Sequence, residues 1–125
     1  MSTNKEVVKK VNKAFAENKP EVFLSACSDD VYWQIVGDRS FRGKKAVEEF
    51  MKSMKDMEPP KFAVDEVIED GDTVTSCGSM TMKNKNGQTD PYSFCDIYRF
   101  RNDEIVELNS LVVKNKPKSA RSGHS

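Results

Sequence analysis

Val7, Val8, Val11, Ala14 and Phe15 recur at helical spacing with Lys9, Lys10 and Lys13 between them, so the chain opens with an amphipathic helix. Thr3 followed by Glu6 is a capping-box pair that starts this helix near residue 3. Asn18 and Lys19 end it, and Pro20 suits the first turn of a short second helix that carries Val22, Phe23 and Ala26 and stops near Ser28. The period then drops to two. Val31, Trp33 and Ile35 share one face of a strand over 30–36, and Gly37 and Asp38 turn the chain. A third helix follows Phe41–Arg42–Gly43, with Ala46, Val47, Phe50, Met51 and Met54 on its apolar side, and Pro59 and Pro60 end it.

Everything after Pro60 reads as strands. In KFAVDEVIED, Phe62, Val64 and Ile68 share one face against Ala63, Asp65, Val67 and Glu69, and Asp70–Gly71 marks a hairpin turn. The next strand has Val74, Ser76, Gly78, Met80 and Met82 on its more apolar face, and Asn86–Gly87 turns again. PYSFCDIYRF alternates Phe94, Asp96, Tyr98 and Phe100 against Ser93, Cys95, Ile97 and Arg99, with Pro91 suggesting an edge position or a bulge at its start. Residues 101–104 turn, and a last strand carries Leu108, Ser110 and Val112 on one face. Helices followed by long antiparallel strands make an α+β pattern. Three N-terminal helices packed on a strongly curved, mostly antiparallel sheet would enclose a cone-shaped pocket. Without an internal repeat or a linker, one domain over 1–113 is expected.

One position breaks the pattern. The aromatic face of 94–100 should be buried, yet Asp96 sits at its centre, where an unpaired charge is costly. No cationic side chain shares that face, so the expectation is a raised pKa and a carboxyl that donates a hydrogen bond near neutral pH.

Composition removes several function classes. Twenty basic residues balance twenty acidic ones in 125 residues, so no global field favours nucleic acid or an anionic membrane. Lys114, Lys116, Lys118 and Arg121 lie in KNKPKSARSGHS, expected to be a disordered basic tail over 114–125. No apolar stretch is long enough to span a bilayer. Cys27, Cys77 and Cys95 lack metal-type spacing and read as reduced thiols of a cytoplasmic protein. The single histidine, His124, falls in the tail, which disfavours triads and most zinc sites, and no phosphate-binding glycine motif occurs. No cofactor and no metal are expected. Asp29–Asp30 reads as a turn between helix and strand rather than a catalytic pair, and Glu48 and Glu49 with Lys44, Lys45 and Lys52 as a solvated helix face.

The order of elements, together with ACSDDVYW, FRGKKAVEEF and DIYRFRNDEIVEL, resembles the SnoaL-like and ketosteroid-isomerase-like branch of the nuclear transport factor 2 superfamily, from about Glu6 to Val113. The resemblance implies that the whole is a cone-shaped α+β barrel, with a pocket at its wide end and a homodimer formed through the outward sheet face, where Cys95, Ile97 and Val113 lie. Ketosteroid isomerases use a carboxylate base, a tyrosine and a protonated aspartic acid. Alignment to that pattern puts Ile35 at the base, Val11 at the tyrosine and Asp96 at the acid, so one of the three is present. SnoaL-like cyclases carry an acid and a histidine on the last strand, where this chain has Ser110 and Leu108. Epoxide hydrolases of this fold need an Asp-Arg-Asp relay, and Arg99 points away from Asp96.

Asp96 is therefore the candidate catalytic or ligand-contacting group. Trp33, Ile35, Phe15, Phe50, Met54, Met80, Met82, Phe94, Tyr98 and Ser110 are the expected pocket lining, with Tyr98 a candidate second donor or indirect partner of Asp96. The partner implied is a small apolar or carbonyl-bearing molecule. Three classes stay open: a ligand-binding protein, an isomerase, cyclase or dehydratase working through Asp96, and an association module with a vestigial pocket.

Overall fold

The computed structural model describes residues 3–54 and 59–116; the expectations for Lys118, Arg121 and His124 lie outside them. Helix α1 (Asn4–Ala16) starts at the foreseen capping box, Thr3 Oγ1 accepting from the Glu6 amide and the Glu6 carboxylate accepting from the Thr3 amide, both at 3.1 Å. Pro20 opens α2 (Pro20–Ala26), and α3 (Lys44–Ser53) follows the first two strands. The strands are β1 (Cys27–Ile35), β2 (Arg39–Arg42), β3 (Lys61–Asp70), β4 (Thr73–Lys83), β5 (Thr89–Arg101) and β6 (Glu104–Lys114). They form one curved sheet in the order β2-β1-β6-β5-β4-β3 that does not close, leaving β2 and β3 as edges. All neighbours are antiparallel except β1 and β6, which run parallel. Among the described residues no helix is long and apolar enough to cross a membrane.

The core lies between the concave sheet face and the helices. α1 packs on α2, β3 and β4, and α3 on β1 and β2. Val8 and Val11 of α1, Phe23 of α2, Val31 and Trp33 of β1, Val47 and Met51 of α3, and Val74, Tyr98, Ile105 and Leu108 of the sheet form one buried cluster. α1 and α2 contribute the stripes that their spacing foretold and α3 does so as far as Met51, and removing that apolar surface from water is the main term favouring the fold.

Four expectations change. β1 begins at Cys27, so Asp29 and Asp30 lie exposed inside a strand, in the stretch where its register against β6 shifts. The β3–β4 turn is Gly71–Asp72, with Gly71 at φ +60°. A bulge in β3 between Val64 and Glu66 flips all that follows it. Val67 therefore pairs with inward Ser76 and packs on the core, whereas Ile68 pairs with outward Thr75 and is 52 % exposed. Pro91 is neither at an edge nor in a bulge, because β5 lies between β4 and β6. Its carbonyl accepts from the Asn115 amide at 2.9 Å, and the amide hydrogen it lacks would face that residue, just past the end of β6.

Candidate functional site

Period-two alternation turns Phe94, Asp96, Tyr98 and Phe100 of β5 toward the helices, and all but Asp96 are buried. Asp96 is half-buried. Sheet register gives it one serine on each side: Ser76 of β4 and Ser110 of β6 are its cross-strand partners. Both serines are buried.

These serines are held from behind. Trp33 Nε1 donates to Ser110 Oγ at 3.0 Å. An indole N–H can only donate, so the serine oxygen accepts and its own hydrogen is free for the Asp96 carboxyl, to which it is hydrogen-bonded. On the other side Asn12 Nδ2 of α1 donates to Ser76 Oγ at 2.9 Å. The directional chain Trp33→Ser110→Asp96 brings one hydrogen bond to the carboxyl.

Burial raises the Asp96 carboxyl from 3.8 to about 6, and the Ser110 hydrogen bond, which favours the charged form, pulls the other way. No cation reverses this. Arg99 is on the outer face beside Glu107 at 3.9 Å, and Arg101 reaches Asp30 at 3.8 Å. The rise agrees in direction with the sequence expectation but is smaller. Half the carboxyls carry a proton near pH 6, and at pH 7 the carboxylate is the larger population. With Arg99 facing outward, the Asp-Arg-Asp relay is not formed.

The expected lining divides. Phe15 packs tilted against Phe23 (5.3 Å between ring centres), and Trp33 meets both Phe23 (5.6 Å) and Phe50 (5.5 Å) edge-on, giving an aromatic run from α1 to α3 that backs the Trp33–Ser110 bond. Ile35 is half-buried and pairs with Ser110 across the parallel strands. Phe94 and Met80 are buried and Met82 is half-buried, with Phe94 edge-on to Phe62 at 5.6 Å. Met54 is a correction: α3 ends at Ser53, so Met54 is its C-cap residue and is 38 % exposed. Tyr98 is another. It is fully buried and its hydroxyl has no hydrogen-bond partner among the described residues, so it is core and neither a donor to the site nor a partner of Asp96. Val11, at the tyrosine position of the isomerase pattern, is likewise fully buried.

Asn12 and Ser76 are the site residues that sequence reasoning missed as such. A buried serine in the apolar row of β4 was the available signal; an asparagine beside Val11 on α1 was a faint one. Asn12 also lines a groove of about 370 Å³ between α1 and the β3 bulge, with Lys5, Lys9, Val64 and Val67. A second groove of about 320 Å³ lies between Phe62, Met80, Pro91 and Tyr92. Neither is lined by Asp96.

Comparison with known proteins bears on the fold. An uncharacterised nuclear-transport-factor-2-like protein from Burkholderia pseudomallei superposes with a TM-score of 0.80 at 24% identity, over 88% of this chain and 90% of that one. An epoxide hydrolase of the LEH-like type from Mycobacterium tuberculosis gives 0.77 at 14% identity, over 87% and 81%. A candidate polyketide cyclase from Xanthomonas campestris gives 0.76 at 17% identity, over 87% and 92%. At these identities the likeness is one of fold. No curated protein matches the chain. The model of the SnoaL-like domain matches residues 8–108, from the buried Val8 of α1 to the buried Leu108 of β6, and so takes in Asp96 and both of its neighbours on β5. The chain belongs to the SnoaL-like domain family.

Proposed function

We propose that this protein binds a small, largely apolar molecule through a carbonyl oxygen, with the protonated Asp96 carboxyl as the donor. The observation that carries this reading is a half-buried carboxyl on an otherwise buried aromatic face, raised to about 6, with one oxygen already oriented by Ser110. A neutral acid in apolar surroundings donates well, and the ligand fills the face that now disfavours the carboxylate. Because the bound form keeps the proton, binding is tighter below pH 6 than above it. A carboxyl that titrates in this range also suits acid–base chemistry, and an isomerase or cyclase activity would run through the same group.

The test compares 2-acetylnaphthalene with naphthalene, matched in apolar area, followed by Trp33 fluorescence. One hydrogen bond is worth about 1 kcal/mol, so the ketone is expected to bind roughly fivefold more tightly at pH 5 and to lose that advantage by pH 8. Asp96→Asn keeps a donor at every pH and should keep the preference throughout. Equal affinities at pH 5, or no binding of either probe, would reject the proposal. The second reading, an association module with a vestigial pocket, is favoured by one observation: neither groove is lined by Asp96. It predicts the no-binding outcome.

A further inference from the structure

On the outer face of the sheet, Cys77 of β4 and Cys95 of β5 are direct cross-strand partners, with sulfurs 3.3 Å apart. The type of rung they occupy follows from the hairpin's two ends. Phe100 N bonds Asp72 O at one end and Asn84 N bonds Gln88 O at the other, each at 2.8 Å. Between them the register runs from Thr73↔Arg99 to Lys83↔Thr89 without a shift. Hydrogen-bonded rungs alternate along an antiparallel pair, so they fall on the even-numbered residues of β4. Cys77 is therefore in a non-hydrogen-bonded rung, the kind whose Cα atoms stand about 4.5 Å apart and whose side chains are closest. That spacing falls within the roughly 4.4–6.8 Å that a disulfide spans, and bonding needs the sulfurs to close by only about 1.2 Å.

We propose that Cys77 and Cys95 are a dithiol redox site that small disulfides oxidise to a cross-strand disulfide within one chain. With a disulfide oxidant, one cysteine thiolate attacks an oxidant sulfur, breaking its S–S bond and releasing one thiol. The second cysteine then attacks the protein sulfur of the mixed disulfide and releases the other thiol. Two protein S–H bonds are lost, one protein S–S bond forms, and the oxidant is reduced to two thiols. Both cysteines are half-buried, and the flanking positions of the same rung, Glu66 and Leu111, are exposed, so a small oxidant has access. Cys27 is a built-in contrast, fully buried in the core with its thiol pushed up to about 12 by burial. Burial raises Cys95 too, to about 11, and the neighbouring Cys77, whose Sγ donates to Cys95 Sγ, adds to the rise. The disulfide would lie one residue from Ser76 and Asp96 on the opposite face and would pin the register that aligns them.

The full chain is treated with oxidised glutathione and analysed by intact mass, non-reducing electrophoresis and peptide mapping. The expected product has lost two hydrogens, migrates as one chain, and links the Cys77 and Cys95 peptides. Of the three free thiols, only Cys27 is then alkylated on denaturation. Cys77→Ser and Cys95→Ser should each stop at a mixed disulfide with glutathione. The wild type should gain a higher urea midpoint on oxidation and lose it with dithiothreitol. Three thiols still alkylatable, a chain-to-chain disulfide, or a bond that includes Cys27 would overturn the assignment.

Discussion

Replacing Asp96 by Asn isolates the cost of a charge at the centre of the aromatic face. The carboxamide has the shape of the carboxyl and keeps an oxygen for Ser110, but it never ionises. A folded-state rise from 3.8 to about 6, at 1.36 kcal/mol per unit, corresponds to about 3 kcal/mol. That is an upper figure, since the half-buried carboxyl keeps some contact with water. The sign follows from proton binding. Below about 3.8 both folded and unfolded chains are protonated and Asp96 contributes nothing. Between 3.8 and about 6 the folded chain holds the proton more tightly, so wild-type stability falls as pH rises, and above about 6 the loss is complete.

The assay is urea unfolding of both proteins from pH 4 to pH 7.5, read by Trp33, the only tryptophan, which is 8 % exposed. Taking the difference between variant and wild type matters, because other groups act with the opposite sign. Glu6 is lowered by its Thr3 cap and Asp30 by its bond from Ser28; both contribute in the two proteins alike and cancel. The variant should match the wild type near pH 4 and exceed it by up to about 3 kcal/mol at pH 7. A wild type that gains stability over the variant with rising pH would mean an ionised, compensated carboxylate, and the donor role would fall with it.

Three further outcomes follow from the same geometry. Tyr98→Phe removes a buried hydroxyl without a partner and should leave urea stability unchanged or raised by about 1 kcal/mol, whereas a clear loss would reveal a bond to that oxygen. Gly78→Ala should lower stability by more than about 2 kcal/mol, because its Cβ would fall 2.1 Å from the Ala63 backbone oxygen; an unchanged urea midpoint would show that the edge strand yields freely. On the outer face Val113 (63 % exposed), Ile68 (52 %) and Leu111 (38 %) suit self-association, so sedimentation equilibrium is expected to give a dimer at micromolar concentration, in exchange with the monomer whose Cys77–Cys95 rung an oxidant reaches, and a monomer alone would rule that out.

The elements whose residues report their own burial were legible in the sequence. The Thr3–Glu6 cap, the helix stripes and the alternation of β4 and β5 each rest on contacts between near neighbours or on one repeating face. The misreadings are of features set from a distance. In β3 an unbroken alternation predicts Ile68 on the face of Phe62 and Val64, yet the strand carries few buried side chains to pin its phase. The bulge between Val64 and Glu66 arises where Ala63 and Val64 press against Gly78 of the neighbouring strand. Pro91 suggests an edge or a bulge only against a generic strand interior. A proline matters one hydrogen bond at a time, and this one falls where β6 has run out. The parallel β1–β6 pairing has no local signature at all, because it joins the two ends of the domain.

That same pairing is why the site was only half legible. Asp96 announced itself as a carboxylate in an aromatic row, and Tyr98 shared the row, but only the register across β1, β6, β5 and β4 separates their fates. In the sequence Ser110 is only one more expected lining position, where the cyclase pattern has a different residue. Its role appears only once Trp33, 77 residues away in sequence, is seen to commit its N–H to it. Ser76 becomes part of the site in the same way, through Asn12 on a helix 64 residues distant. The choice of serines has a consequence that a cation would not have. A lysine or arginine at 76 or 110 would lower the carboxyl and fix it as half of an ion pair. A hydroxyl that already accepts from an N–H has one hydrogen left to give, which solvates a carboxylate only in part. Asp96 therefore remains near its titration point, and its charge follows whatever covers the rest of its face: water favours the anion, and an apolar ligand with a carbonyl favours the acid.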